Sequence, residues 1–202
     1  MEGVYFSQVK IDKETLETYD CSKFLGVPAF PVDFLRNDKG ESLISAADYF
    51  IMQLNLRDVA DRETPLPKEG MLYFFIDVDT FKPKVFFTED VECDYEVYDD
   101  INDGFDKRDF GQTDGYRLVF DKTLSTGHYF LGDINPDIDL GMDVDTDGYI
   151  TLLEIDYLSL PSNDLLKFGA LAPFDGRYIF LIKEADLKRL DFSKVKFVDK
   201  ES

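Results

Sequence analysis

Tyr49-Phe50-Ile51-Met52-Gln53-Leu54-Asn55-Leu56, followed after a proline-containing connection by Gly70-Met71-Leu72-Tyr73-Phe74-Phe75-Ile76, decides the fold. Leu72 to Ile76 is too short for a buried helix and rich in aromatics, so it reads as a strand. A glycine opens it, and irregular chain separates it from the strand before. The same order returns later in the chain. Tyr149-Ile150-Thr151-Leu152-Leu153-Glu154-Ile155-Asp156 precedes a longer connection and then Gly176-Arg177-Tyr178-Ile179-Phe180-Leu181-Ile182. Met52-Gln53-Leu54-Asn55 aligns with Leu153-Glu154-Ile155-Asp156, and Phe74 and Ile76 align with Phe180 and Ile182. Two approximate repeats, 45–80 and 146–190, are too few for a solenoid. They predict two similar half-domains from an internal duplication, packed into a single domain over 1–202.

Working outward, Lys84-Val85-Phe86-Phe87, Tyr95-Glu96-Val97-Tyr98 and Tyr116-Arg117-Leu118-Val119-Phe120 are further strands, and Val195 to Val198 alternates as a last one. Asn102-Asp103-Gly104 and Thr113-Asp114-Gly115 supply the turns that antiparallel sheets need. Helical signals are sparse. Asp12 caps a short helix carrying Leu16 and Tyr19, and Lys183 to Leu190 reads as another. The expected class is α+β, with mainly antiparallel sheets and few helices.

The chain has 202 residues, 44% of them hydrophobic, with 19 Phe and 11 Tyr, enough for a substantial core. No apolar run reaches the length of a membrane span, and Met1 to Phe6 has no basic region leading into an apolar stretch. Cys21 and Cys93 are too few for a disulfide framework or a thiolate zinc site, so reduced thiols in a cytoplasmic protein are expected. Forty-two acidic residues against 22 basic ones give a formal net charge of −20. That field repels phosphate backbones and anionic lipid, so neither nucleic acid nor membrane is an expected partner. Cations and basic proteins are.

Several segments together resemble the YwqG-like proteins, a bacterial domain family of unknown function. Ser22-Lys23-Phe24-Leu25-Gly26-Val27-Pro28-Ala29-Phe30-Pro31 is similar to that family's glycine–proline segment, and Met52 to Leu56 with Leu66 to Phe75 to its most characteristic stretch. His128-Tyr129-Phe130-Leu131-Gly132 takes the place of its His-x-x-x-Gly segment, and Gly176 to Phe192 that of its last glycine-opened strand and helix. The likeness runs from about Ser22 to Val198. Tryptophans usual in the family are missing, and Asp133-Ile134-Asn135-Pro136 replaces the usual Tyr-Pro and Gln, so an aromatic-lined cleft would be altered here. The resemblance implies two related, mainly antiparallel halves and no particular reaction.

Asp143-Val144-Asp145-Thr146-Asp147-Gly148-Tyr149-Ile150-Thr151-Leu152-Leu153-Glu154 satisfies the EF-hand loop pattern at every defining position. Asp143, Asp145 and Asp147 would give carboxylates, Gly148 the turn, Tyr149 a carbonyl and Glu154 a bidentate carboxylate to calcium. Its surroundings are wrong for helices: Pro136 and Gly141 break the one before, and the repeat makes Leu152 to Asp156 a strand. No cofactor fingerprint is present, so calcium is the one ion the sequence points to. His128, the only histidine, is followed by Asp133, Asp137 and Asp139, which sketches a His–carboxylate site in a cleft between halves. From Glu89 to Asp109 there are ten acidic and two basic residues, with Tyr95, Tyr98, Phe105 and Phe110 interleaved. Asp94, Glu96, Asp99, Asp100 and Asp103 are the expected contacts of an acidic–aromatic surface for a basic protein.

Overall fold

The computed structural model describes residues 3–10, 20–26, 28–45, 47–61, 63–77, 79–97, 115–121, 124, 126–136, 138, 140–141, 145–156, 159 and 176–201. Its strands are β1 (Val4–Lys10), β2 (Lys23–Phe24), β3 (Ala29–Pro31), β4 (Asp48–Asn55), β5 (Met71–Asp77), β6 (Lys82–Thr88), β7 (Tyr95–Val97), β8 (Tyr116–Phe120), β9 (His128–Gly132), β10 (Tyr149–Asp156), β11 (Gly176–Lys183) and β12 (Lys196–Glu201). The helical elements among the described residues are single turns at Leu56–Val59, Glu184–Leu187 and Phe192–Lys194, and Ser159 is also in helical turn conformation. The mainly antiparallel expectation holds. The Asp12 helix and the turns at Asn102-Asp103-Gly104 and Thr113-Asp114 fall outside the described residues.

Ten strands form one sheet in the order β12-β11-β10-β9-β1-β8-β2-β4-β5-β6, and β3 pairs separately with β7. The β4–β5 and β10–β11 hairpins therefore sit toward opposite ends of a single sheet. Between them lie strands from the start and the middle of the chain. Yet the Phe74 ring on β5 meets Phe180 on β11 edge-on, with centroids 5.5 Å apart. Those strands are seven positions apart in the sheet, which would be about 34 Å if it were flat. The sheet is rolled, and its concave side holds one core in which Phe6, Phe24, Phe74, Phe130 and Phe180 are all buried.

Both ends of the roll are also covered outside. Met71, Tyr73 and Phe75 pack outward against Ala29, Phe30, Leu35 and Ile44, and Ile179 and Leu181 against Leu140. Strands buried on both faces read as continuous apolar runs, which is why β5 and β11 stand out in the sequence. In each hairpin the ladder slips one residue at the same step, between Phe50 and Met52 and between Thr151 and Leu153. The bulge turns two successive side chains inward. Ile51 and Met52 both enter the core, as do Leu152 and Leu153.

The registers match beyond the bulge. Asn55 lies opposite Met71 and Met52 opposite Phe74, while Asp156 lies opposite Arg177 and Leu153 opposite Phe180. Lys23-Phe24 pairs with Gln53 and Met52, as Tyr129 and Phe130 pair with Glu154 and Leu153. β2 and β9 each take their other neighbour from elsewhere: β2 pairs with β8 and β9 with β1. β1 and β8 then pair with each other, Ser7 opposite Val119.

Because Phe180 bridges the two sides of the roll, Phe180→Ala should lose about 3–5 kcal/mol of stability in denaturant titration. Val119→Ala, on the exposed side of β8, should stay within about 0.5 kcal/mol of the parent.

Candidate functional site

Around the C-terminal end of β10 a polar cluster is built from four parts of the chain. β9 brings His128 beside β1, and β1 turns Gln8 toward it. The His128 ring is buried and contacts Phe6 and Phe24, with centroids 5.2 and 5.7 Å away. The Asp156 amide donates to His128 Nδ1 at 3.1 Å, so the neutral ring carries its hydrogen on Nε2. That Nε2 donates to Gln8 Oε1 at 2.7 Å. Gln8 Nε2 donates in turn to the Ser159 carbonyl at 3.0 Å, and Ser159 Oγ to Asp156 Oδ2 at 2.9 Å. Four residues thus close a ring of hydrogen bonds that ties β1 and β9 to the chain leaving β10.

Next to the ring, Glu154 is 2% exposed and takes the Arg177 guanidinium from the facing strand. Arg177 Nη2 stands 4.0 Å from Asp156 Oδ2. Burial pushes the Glu154 carboxyl above its usual range, and the Arg177 hydrogen bond and charge draw it back. Burial lowers His128 to about 4, against a smaller upward pull from Asp156. Both ring nitrogens are engaged, which leaves no lone pair for a substrate proton or a metal. This cluster fixes strands; as arranged, it does not move protons. Of the aspartates that follow His128 in the sequence, Asp133 is exposed, and Asp137 and Asp139 lie outside the described residues. The carboxylate that reaches the histidine's surroundings is Asp156 instead.

The calcium pattern is spread along the strand. Asp145, Asp147 and Gly148 form an exposed turn in which the Asp147 amide donates to Asp145 Oδ1 at 3.1 Å. Tyr149 begins β10, and Glu154 follows five residues along it, about 17 Å away at strand rise. Glu154 is bound to Arg177. Asp143 lies outside the described residues. Among the described residues no group of three or more His, Cys, Asp or Glu side chains is placed to hold a metal ion.

Of the expected protein-binding residues, Asp94 is exposed just before β7 and its carbonyl accepts from the Val32 amide at 3.1 Å. Glu96 lies on β7 opposite Phe30. Asp99, Asp100 and Asp103 lie outside the described residues. Glu89, Asp90 and Glu92 are exposed with Asp94, and Arg57 reaches Glu92 at 3.9 Å. Tyr95, beside them, is 47% exposed. Together they make an acidic ledge running on from β6.

Sequence reasoning missed Gln8, Ser159 and Arg177. Arg177 had a signal, because the repeat alignment sets it opposite Asp156 as Met71 is set opposite Asn55. Gln8 had none: β1 meets β9 across most of the chain. A family model described as Domain of unknown function (DUF1963) matches residues 22–167, well over half of the chain. The folded body continues past both ends of that match, into β1 and into β11 and β12. No curated protein matches the chain. Among the described residues no helix is long and apolar enough to cross a membrane.

His128 gives a signed prediction. Its folded value near 4 lies below the ordinary 6.5, so the unfolded chain binds the extra proton between those limits. Stability is full above pH 6.5 and falls as pH drops toward 4, by about 3 kcal/mol from this residue. His128→Asn keeps an acceptor for the Asp156 amide and does not titrate. Its stability curve should therefore be flatter than the parent's between pH 6.5 and 4, by about that amount.

Proposed function

The chain belongs to the DUF1963 family of domains of unknown function, and from that premise we propose that it is a non-enzymatic acidic binding module of the YwqG-like type, engaging a basic protein partner. The observation that carries this reading is the ledge of Glu89, Asp90, Glu92 and Asp94, all exposed, beside half-exposed Tyr95. Among the described residues the buried carboxylates each meet a partner within the fold, with only Asp48 Oδ1 lacking a hydrogen bond. Asp48 takes Lys84, Asp186 takes Arg189 and Lys194, and Glu154 takes Arg177. The excess behind the net charge of −20 is thereby left to the surface, where it speeds encounter with a cation-rich partner while aromatic side chains anchor it. Asp99, Asp100 and Asp103 continue the same run in sequence.

We also infer that the two halves are copies. β1, β2, β4, β5 and β6 have counterparts in β8, β9, β10, β11 and β12, with the same bulge and the same pair registers. Ser22-Lys23-Phe24-Leu25-Gly26 then answers to His128-Tyr129-Phe130-Leu131-Gly132. Ser22 Oγ engages the Asn55 amide at 2.8 Å, as His128 engages the Asp156 amide. Under this reading β1 and β8 are exchanged first strands, each lying in the other copy's half of the sheet. The charged Glu154–Asp156–Arg177 group stands where the first copy has neutral Gln53, Asn55 and Met71.

Two outcomes are expected. Tagged full-length protein should retain a basic protein from the source cell's lysate at about 20 mM salt and release it at about 300 mM. The Asp94→Asn, Asp99→Asn, Asp100→Asn, Asp103→Asn variant should not retain it, and equal recovery by both proteins would refute the reading. Arg177→Met alone should cost about 2–3 kcal/mol by leaving Glu154 buried without its cation. Adding Glu154→Gln, which installs the first copy's pair, should restore most of that loss.

A further inference from the structure

The roll of the sheet brings its two outer strands, β6 and β12, close together without hydrogen-bonding them. Between β6 and the segment that leads into β12 runs a trough of about 540 Å³. Residues 83–87 of β6 line it from both faces. Leu43 forms one wall and the segment from Leu190 to Ser193 the other. Phe87 and Phe192 meet at its base, with centroids 6.1 Å apart. On its inner side β6 pairs with β5. On the trough side no described strand pairs with it, so alternate backbone N–H and C=O groups are offered there.

Proteins guard such edges with proline and lysine, and here the guard is partial. Pro83 protects the start of the strand. The Lys84 amine is turned away, to Asp48 Oδ2 at 2.6 Å and the Leu43 carbonyl at 3.2 Å. Val85 to Thr88 therefore present an unguarded edge with apolar side chains on both faces. Beyond Thr88 the chain continues into Glu89 and Asp90, the start of the acidic ledge. A slot lined by Val85, Phe86 and Phe87 together with Lys84, Asp191 and Ser193, with strand-pairing groups along its floor and carboxylates at one end, fits one chemistry: an extended segment carrying positive charge at one end.

We propose that the seam between β6 and the Leu190–Ser193 segment takes an extended, basic-ended segment of a partner protein as an added strand on β6, its cations lying on the Glu89–Asp94 ledge. Main-chain pairing would hold the segment, and the charge at one end would set its direction. The proposal rests on the reading of the chain as an acidic binding module, and names the surface it uses.

The test uses full-length protein and a fluorescent synthetic peptide with Lys-Arg at one end and alternating Val and Thr after it. Binding is followed by anisotropy. One control peptide is N-methylated at alternate amides, and another carries Glu-Glu in place of Lys-Arg. The basic peptide should bind, weakening about tenfold or more with either control peptide and with the Leu43→Arg variant, which sets a cation on the seam wall. Hydrogen exchange at Val85 to Thr88 should slow about tenfold on binding. If the peptide binds Leu43→Arg as it binds the parent and exchange at β6 is unchanged, the seam is overturned while the acidic module stands. If the basic peptide does not bind at all, the seam is overturned, and the module reading is decided by the lysate experiment alone.

Discussion

The pairing of β1 with β8 is the constraint on which the other strands depend. β1 sits between β8 and β9, and β8 between β1 and β2, so this one ladder joins the two ends of the sheet. Remove it and the sheet falls into two five-stranded pieces, each with half of a core. Phe6 comes from β1 and Leu118 from β8, and both lie in the same cluster as Phe74 and Phe180. The joint forms between residues more than a hundred positions apart, so its loop-closure entropy must be met before most of the core is in place.

What could be read from the sequence follows from this geometry. β5 and β11 are buried on both faces, so their apolar runs announced them, and their hairpin partners followed from the likeness between the two stretches of sequence. β8 was legible to the residue. β1 was not: its burial alternates weakly, with Val9 and Lys10 exposed, and its partners are remote. β2 and β9 are short pieces whose strand character comes from β4 and β10 beside them. The polar cluster was half legible for the same reason. Asp156 and Arg177 face each other by hairpin register, a local rule, whereas Gln8 and His128 meet only because β1 lies beside β9. The calcium pattern was legible as a string, but Tyr149 to Glu154 form a strand, which advances about twice as far per residue as a helix. Glu154 is thereby carried along the strand from the Asp145–Asp147 turn.

Burial explains how so acidic a chain keeps a stable interior. An unpaired carboxylate inside the roll would cost several kcal/mol, and the four buried acids among the described residues each meet a cation or a hydroxyl. Asp48, Glu154 and Asp186 have Lys84, Arg177 and Arg189, and Asp156 has the Ser159 hydroxyl. Several of the basic residues are thus spent on internal neutrality. The surface is left more one-sided than the composition alone suggests, and self-repulsion there favours any arrangement that brings in positive charge.

The two ends of the roll show why an opening persists where β6 meets β12. Closing a sheet into a barrel needs strand number, tilt and stagger to agree. Here the chain between β11 and β12 spends residues 184–194 on two short helical turns that crowd the gap. Phe192 from that segment reaches Phe87 on β6 and fills the base of the seam with a side chain where a continuous ladder would have placed backbone. The core is sealed by that aromatic contact, and no described strand pairs with the edge of β6 above it. A fold that rolls without closing leaves its outer strands, β6 and β12, without a described partner on one side, and in this protein the β6 edge runs directly into the acidic Glu89–Asp94 ledge.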